Sequence, residues 1–202
     1  GSNGAGKTTL IKLLCRLYEP TSGKITLDGV DLCEYSVTAL RREIAVILQD
    51  YGQYSLTALE NIWLGDVSSP PDEAAITEAA QRAGAHEVLS ALPKGYQSIL
   101  GRMFKDGEEL SIGQWQKVAL ARAFLRDAQI VIMDEPTSAM DATSEYEIFS
   151  RLRELTEGRA VILISHRFST VRMADRIYVL DDGGIIEGGS HDELIAQGGV
   201  YA

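Results

Sequence analysis

An α/β fold, with a mostly parallel sheet flanked by helices and an inserted helical subdomain, is what this sequence predicts. Three observations carry the prediction. Apolar, β-branched runs at 44–48, 130–133, 160–164 and 176–180 alternate with helix-like stretches, the order that builds parallel strands through crossover helices. Between Tyr51 and about Asp127 such runs vanish and helix formers dominate, which divides the chain into an α/β core, residues 1–50 and 127–202, and a helical subdomain, residues 51–126. A glycine-rich loop, GSNGAGKTT, precedes the first helical stretch, the junction at which α/β folds bind phosphate.

Element by element, TLIKLLCRL (9–17) carries apolar residues at Leu10, Leu13, Leu14 and Leu17 and reads as a helix. Lys24 to Leu27 is a short β-rich segment closed by an Asp28-Gly29 turn. A helix over 37–42 leads into Ile44–Leu48, a continuous apolar run typical of a strand covered on both faces. DEAAITEAAQRAGA and SIGQWQKVALARAFLRD supply the inserted helices, with Trp115, Val118, Ala119, Leu120, Ala123 and Phe124 as a core stripe. Strands return as IVIM, AVILI and RIYVL, separated by the helix-like SEYEIFSRLREL and STVRMAD; GGIIEGGS reads as β-turn-β before a short helix, HDELIAQ.

The 202 residues, 45% of them apolar, suffice for one good core with a smaller lobe. A net charge of −10 argues against nucleic acid as the primary partner, which usually demands an excess of Lys and Arg. Cys15 and Cys33 lack a CxxC or His context and read as plain thiols. No apolar run approaches the roughly 18–20 residues of a membrane-spanning helix.

The chemistry is concentrated in a few short stretches. Gly1, Gly6, Lys7 and Thr8 complete G-x-x-x-x-G-K-[ST], in which small residues let backbone N–H groups close around phosphate oxygens, Lys reaches the β- and γ-phosphates and the hydroxyl ligates Mg²⁺. IVIMDEP ends a buried strand in two carboxylates, Asp134 suited to Mg²⁺ and Glu135 to polarising an attacking water. By itself an apolar run ending in Asp-Glu is common; beside a phosphate loop it supplies the metal carboxylate such a site needs. Ser111 stands where an N-cap belongs, ahead of a long helix, and offers a second anion-binding helix start; considered alone, the segment also fits a purely structural helix.

Taken in order, GSNGAGKTT, Gln49 after an apolar strand, LSIGQ, IVIMDEP, SAMD (Ser138 to Asp141) and His166 after AVILIS resemble the nucleotide-binding domain of the ATP-binding cassette family over essentially the whole chain. The resemblance implies a P-loop NTPase core that hydrolyses ATP with Mg²⁺ in a head-to-tail dimer of two such domains, identical or not. It implies that Gly1, Ser2, Asn3, Gly4, Ala5, Gly6, Lys7, Thr8 and Thr9 cradle ATP, and that Thr8, Gln49 and Asp134 serve Mg²⁺. Glu135, His166 and Gln49 would be catalytic. Ser111, Gly113 and Gln114 would cap the partner's ATP, and Asp141 would lie at the dimer interface. LSIGQ departs from the usual LSGGQ at a tolerant position, and SAMD from SALD by a near volume-conserving exchange.

The stretch ILQDYGQYSLTALENI resembles exporters more than importers, and LGRMFKDGEELS occupies the place where exporter domains meet the coupling helices of a transmembrane domain. A transmembrane domain fused upstream and a location on the cytoplasmic face of the cell membrane follow from that likeness. The alternative is a soluble ATPase of the same type acting on ribosomes or DNA; chromosome-maintenance members, however, separate the phosphate loop from the signature by a very long coiled coil, and here about a hundred residues intervene. The chain begins at the phosphate loop itself, so it reads as a segment truncated at both ends that would fold poorly and bind ATP weakly alone.

Overall fold

The computed structural model describes residues 5–103, 106–136 and 158–202. Helix α1, Lys7–Leu14, starts at Gly6 and stops at Cys15, one turn before the apolar periodicity ends. The chain turns at Arg16, φ 49°, whose guanidinium donates to the carbonyls of Leu32 (3.3 Å) and Tyr35 (2.7 Å). Strands β1, Thr26–Leu27, and β2, Val30–Asp31, form a minimal hairpin. Its turn residues Asp28 and Gly29 both take positive φ, as a type I′ turn requires. A 3₁₀ turn, Leu32–Glu34, leads to α2, Val37–Arg42, and β3, Ile44–Ile47.

The helical stretch comprises α3, Ala58–Trp63; α4, Glu73–Ala83; α5, His86–Ser90; a 3₁₀ turn at Gly95–Gln97; and α6, Ile112–Leu125. Then come β4, Ile130–Asp134; β5, Ala160–Ile164; α7, Phe168–Val171; β6, Ile177–Asp181; β7, Gly184–Gly189; and α8, His191–Gln197. The helix read from SEYEIFSRLREL, the SAMD stretch and residues 1–4 lie outside the described residues. Among those described, no helix is long and apolar enough to cross a membrane.

These elements divide into two compact units, Gly1–Arg41 with Leu163–Ala202, and Arg42–Ile162. In the second unit, β3 and β4 pair in parallel from Ile44↔Ile130 to Ile47↔Met133, within a sheet ordered β3-β4-β5 whose third strand begins in this unit. Ile44, Ala45, Ile47, Val131, Ile132 and Met133 are buried, which is why these strands are near-continuous apolar runs instead of alternating ones. Helices α3, α4 and α6 pack on one another around Ile62, Ile76, Ala80, Val118, Leu120 and Ala121; each large aliphatic side chain buried there stabilises by about 1.5–3 kcal/mol. The helices start where the sequence caps them. Thr57 and Glu60 form a capping box on α3, Asp72 accepts from Ala74 and Ala75 N–H at α4, and Gly84 at φ 70° ends that helix.

In the first unit, β6 and β7 form an antiparallel hairpin around Asp182 (φ 44°) and Gly183 (φ 75°). This corrects the β-turn-β reading of GGIIEGGS: the turn falls on Asp182-Gly183, and Gly184–Gly189 is one strand pairing back onto β6. An Asp-Gly pair with positive φ at both positions matches the twist of the flanking strands. The helix expected over STVRMAD is only Phe168–Val171, since the chain continues in i→i+3 turns from Thr170 to Met173 and Val171 to Ala174. Ser190 and Glu193 box the start of α8, which buries Leu194.

Candidate active site

In the first unit the phosphate loop ends as its chemistry demands. Gly6 is the N-cap of α1 at φ 95°, a left-handed conformation that L side chains resist, and it brings no capping side chain. Lys7, Thr8 and Thr9 form the first turn of α1, where backbone N–H groups have no intrahelical acceptor and the helix dipole is positive. Thr8 and Thr9 are exposed. Across the unit, β5 runs out into Ser165, whose hydroxyl accepts from Arg167 N–H at 3.0 Å, and the turn exposes His166. The Nζ of Lys7 is 3.2 Å from Nε2 of His166. The unit therefore brings together two residues that the sequence assigned to the γ-phosphate from opposite ends of the chain.

In the second unit the register of β3 and β4 places the next set. Ile47 pairs with Met133, so Gln49 and Glu135 each stand two residues beyond the same rung, leaving the carboxyl edge on strands about 4.8 Å apart. Gln49 is exposed, Glu135 half-buried and Asp134 buried. Glu135 sits at φ 49° immediately before Pro136. A non-glycine residue there costs on the order of 1–3 kcal/mol and persists where its surroundings enforce it, and a following proline disfavours compact conformations further.

The same unit builds the second helix start. Ser111 caps α6: its Oγ accepts from Gln114 N–H at 3.3 Å, while Ser111 N–H donates to Gln114 Oε1 at 2.8 Å. Gln114 thus shapes the helix start, a structural duty beyond the ligand contact that the resemblance implies. A Cβ on Gly113 would meet no heavy atom within 4 Å, and Ile112 is 60% exposed. The isoleucine of LSIGQ points to solvent, which explains why a β-branched residue is tolerated there. Tyr51, two residues past Gln49, donates its hydroxyl to Ile112 carbonyl at 3.0 Å.

Three polar residues around these groups carried no sequence signal beyond lying in helices. Asn61 is fully buried and donates to the carbonyls of Tyr54, Leu56 and Thr57. Arg122 donates to the carbonyls of Asn61 (2.9 Å) and Gly52 (3.1 Å) and stacks 5.0 Å over the Tyr54 ring. Gln116, 3% exposed, donates to Pro136 carbonyl at 2.8 Å, and its Oε1 has no partner among the described residues. A helical period reports that such residues face inward; it does not say which carbonyl they will meet. Gly1, Ser2, Asn3, Gly4 and Asp141 lie outside the described residues.

A lysine at a glycine-capped helix start, with carboxylates ending a buried parallel strand, marks a P-loop ATPase domain. The chain belongs to the ABC transporter family, whose family model matches residues 1–138. Among its relatives are the ATP-dependent lipid A-core flippases of Chromohalobacter salexigens, 43% identical, and Saccharophagus degradans, 45% identical, each over 202 residues that make up 100% of this chain and 34% of the relative. A solved structure, of a bacterial Atm1-family ABC exporter with ATP bound, matches with a TM-score of 0.90 at 37% identity, covering 100% of this chain and 34% of that one. The chain spans about a third of the length of these relatives.

Proposed function

We propose that this domain hydrolyses Mg-ATP in a head-to-tail dimer with a second nucleotide-binding domain, at the cytoplasmic face of a membrane, and so drives export through transmembrane segments of the same longer protein. In this reading residues 1–50 and 127–202 form the ATP-binding core, and residues 51–126 the signature subdomain. The observation that carries it is the pairing of Lys7 with His166 at the Gly6-capped start of α1.

The backbone N–H groups of Gly1 to Gly6 and of the first turn of α1 hold the phosphates, with Lys7 on the β- and γ-phosphoryl oxygens and Thr9 beside them. Ser111, Gly113 and Gln114 cover the partner's ATP, and Asp141 lies at the dimer interface. Glu135 accepts a proton from the water that attacks the γ-phosphorus, Gln49 orients that water, and His166 holds the γ-phosphate by its ring nitrogen. The donors available to Mg²⁺ are hard oxygens, namely Thr8 hydroxyl, Gln49 amide and the buried Asp134 carboxylate. Among the described residues no three His, Cys, Asp or Glu side chains gather, and one carboxylate plus substrate phosphates is what Mg²⁺ takes in ATPase sites. When bound, the ion neutralises charge on the phosphates.

In the full-length protein, Glu135→Gln should slow phosphate release by roughly 10²–10⁴-fold while ATP binding persists. Turnover at the wild-type rate rejects the assignment.

A further inference from the structure

The turn that carries Glu135 is in an unfavourable backbone conformation. Pro136 has its φ locked by its ring and pushes the preceding residue towards extended backbone, yet Glu135 is at φ 49°. An outside group closes on this turn. Gln116, buried in α6, donates from Nε2 to the Pro136 carbonyl at 2.8 Å. Packing alone would be served by an apolar side chain of the same volume, and the amide leaves its own Oε1 without a partner among the described residues. What the amide adds is a grip on the residue next to the general base.

We propose that Gln116 is a positioning residue for ATP hydrolysis, fixing the Glu135 carboxylate through the Pro136 carbonyl; this rests on Glu135 being the general base. Gln116 is five residues from Ser111, about 7.5 Å along the helix axis, and the same helix receives the Tyr51 hydroxyl at Ile112. One rigid helix thus carries the signature serine at its cap and steadies the catalytic turn of its own chain.

The test uses the full-length protein, with phosphate release, nucleotide binding and thermal melting measured together. Gln116→Met keeps the volume and removes the donor. It should lower kcat by roughly 10–100-fold, the scale of a misplacement on the order of 1 Å at a reacting group, with KM and nucleotide affinity near wild type. Gln116→Asn, too short by one methylene to reach the carbonyl, should do the same and serves if the Met variant does not fold. The discriminating measurement is the pair with Glu135→Gln. If Gln116 acts through Glu135, adding Gln116→Met to Glu135→Gln changes the residual rate by less than about two-fold, because the two losses are one loss. Wild-type kcat in either Gln116 variant, multiplicative losses in the double variant, or a kcat loss matched by lost nucleotide affinity overturns the proposal. Wild-type turnover in Glu135→Gln would instead overturn the hydrolytic reading on which it rests.

Discussion

The Nζ of Lys7 lies 3.2 Å from Nε2 of His166 although 159 positions separate them in the chain. In the proposed function, ATP binding turns Lys7 to the phosphates and leaves His166 facing the same terminal oxygens. The two substitutions should therefore split. Lys7→Ala should chiefly weaken nucleotide affinity, since it removes a charge-assisted contact present in the ground state, whereas His166→Ala should lower kcat by roughly 10²-fold with affinity little changed. Fluorescent-nucleotide titration alongside phosphate release separates them, and equal losses of affinity in both variants would sink the distinction.

Why do Lys7 and His166 stand out in the sequence, and the Gln116 contact not? Lys7 sits in a glycine loop whose chemistry restricts composition, and His166 stands out through the family resemblance of the ordered stretches, since by itself it is a polar residue closing a strand. The strands at Ile44 and Ile130 were equally plain, because a parallel strand buried on both faces must be an unbroken apolar run. Glutamine or asparagine inside a helix carries no comparable mark. Whether Gln116 meets solvent or the Pro136 carbonyl depends on how α6 lies against the end of β4, a tertiary fact. The same holds for the β6–β7 hairpin, where the glycines of GGIIEGG suggested a turn that the structure places at Asp182-Gly183.

A composite site makes a sharp genetic prediction. If Ser111 of one subunit completes the ATP site of the other, a dimer with Lys7→Ala in one subunit and Ser111→Arg in its partner keeps one intact site. It should retain up to about half of wild-type turnover when sites act independently, while both lesions in a single subunit break both sites and leave background only. Tandem affinity purification of tagged subunits isolates each combination. Equal activity in the two arrangements would exclude a site shared between subunits.

The capping box on α3 gives a pH dependence with a definite sign. Thr57 N–H and hydroxyl donate to Glu60 Oε2 at 2.9 and 2.8 Å, and these bonds, the backbone one first, hold the Glu60 carboxyl below its usual range. A carboxyl depressed in the folded state contributes its stability above the unfolded value, near 4.5, and loses it as pH falls through the lower folded value. Urea melts from about pH 6 down to about pH 3 should show wild type losing more stability than Glu60→Gln over the acid limb. Thr57→Ala should cost about 0.5–2 kcal/mol at neutral pH, as lost N-caps do. Parallel pH profiles for wild type and Glu60→Gln would refute the coupling.

The buried pair Asn61 and Arg122 should be the most sensitive polar contact of the second unit. Asn61 is 0% exposed and its amide serves three carbonyls of the loop 54–57, while its own Oδ1 and backbone carbonyl receive Arg122 at 3.3 and 2.9 Å. Burial pushes the Arg122 pKa down, partly offset by Tyr54, and an arginine so placed stays charged. Asn61→Leu keeps the volume but removes the amide donor from carbonyls that retain only their backbone partners and takes the Oδ1 acceptor from a buried cation, so it should cost roughly 1–3 kcal/mol. Gly65→Ala probes the same junction, since a Cβ there would run into the Arg122 carbonyl; overpacking of this kind costs about 1–3 kcal/mol. Both tryptophans, Trp63 and Trp115, lie in this unit, so their fluorescence reports its unfolding directly. If the pair works as one network, Asn61→Leu and Arg122→Met together should destabilise by about 0.5–3 kcal/mol less than the sum of the single variants, because each alone already breaks the shared bonds; simple additivity would show that Arg122 and Asn61 act separately.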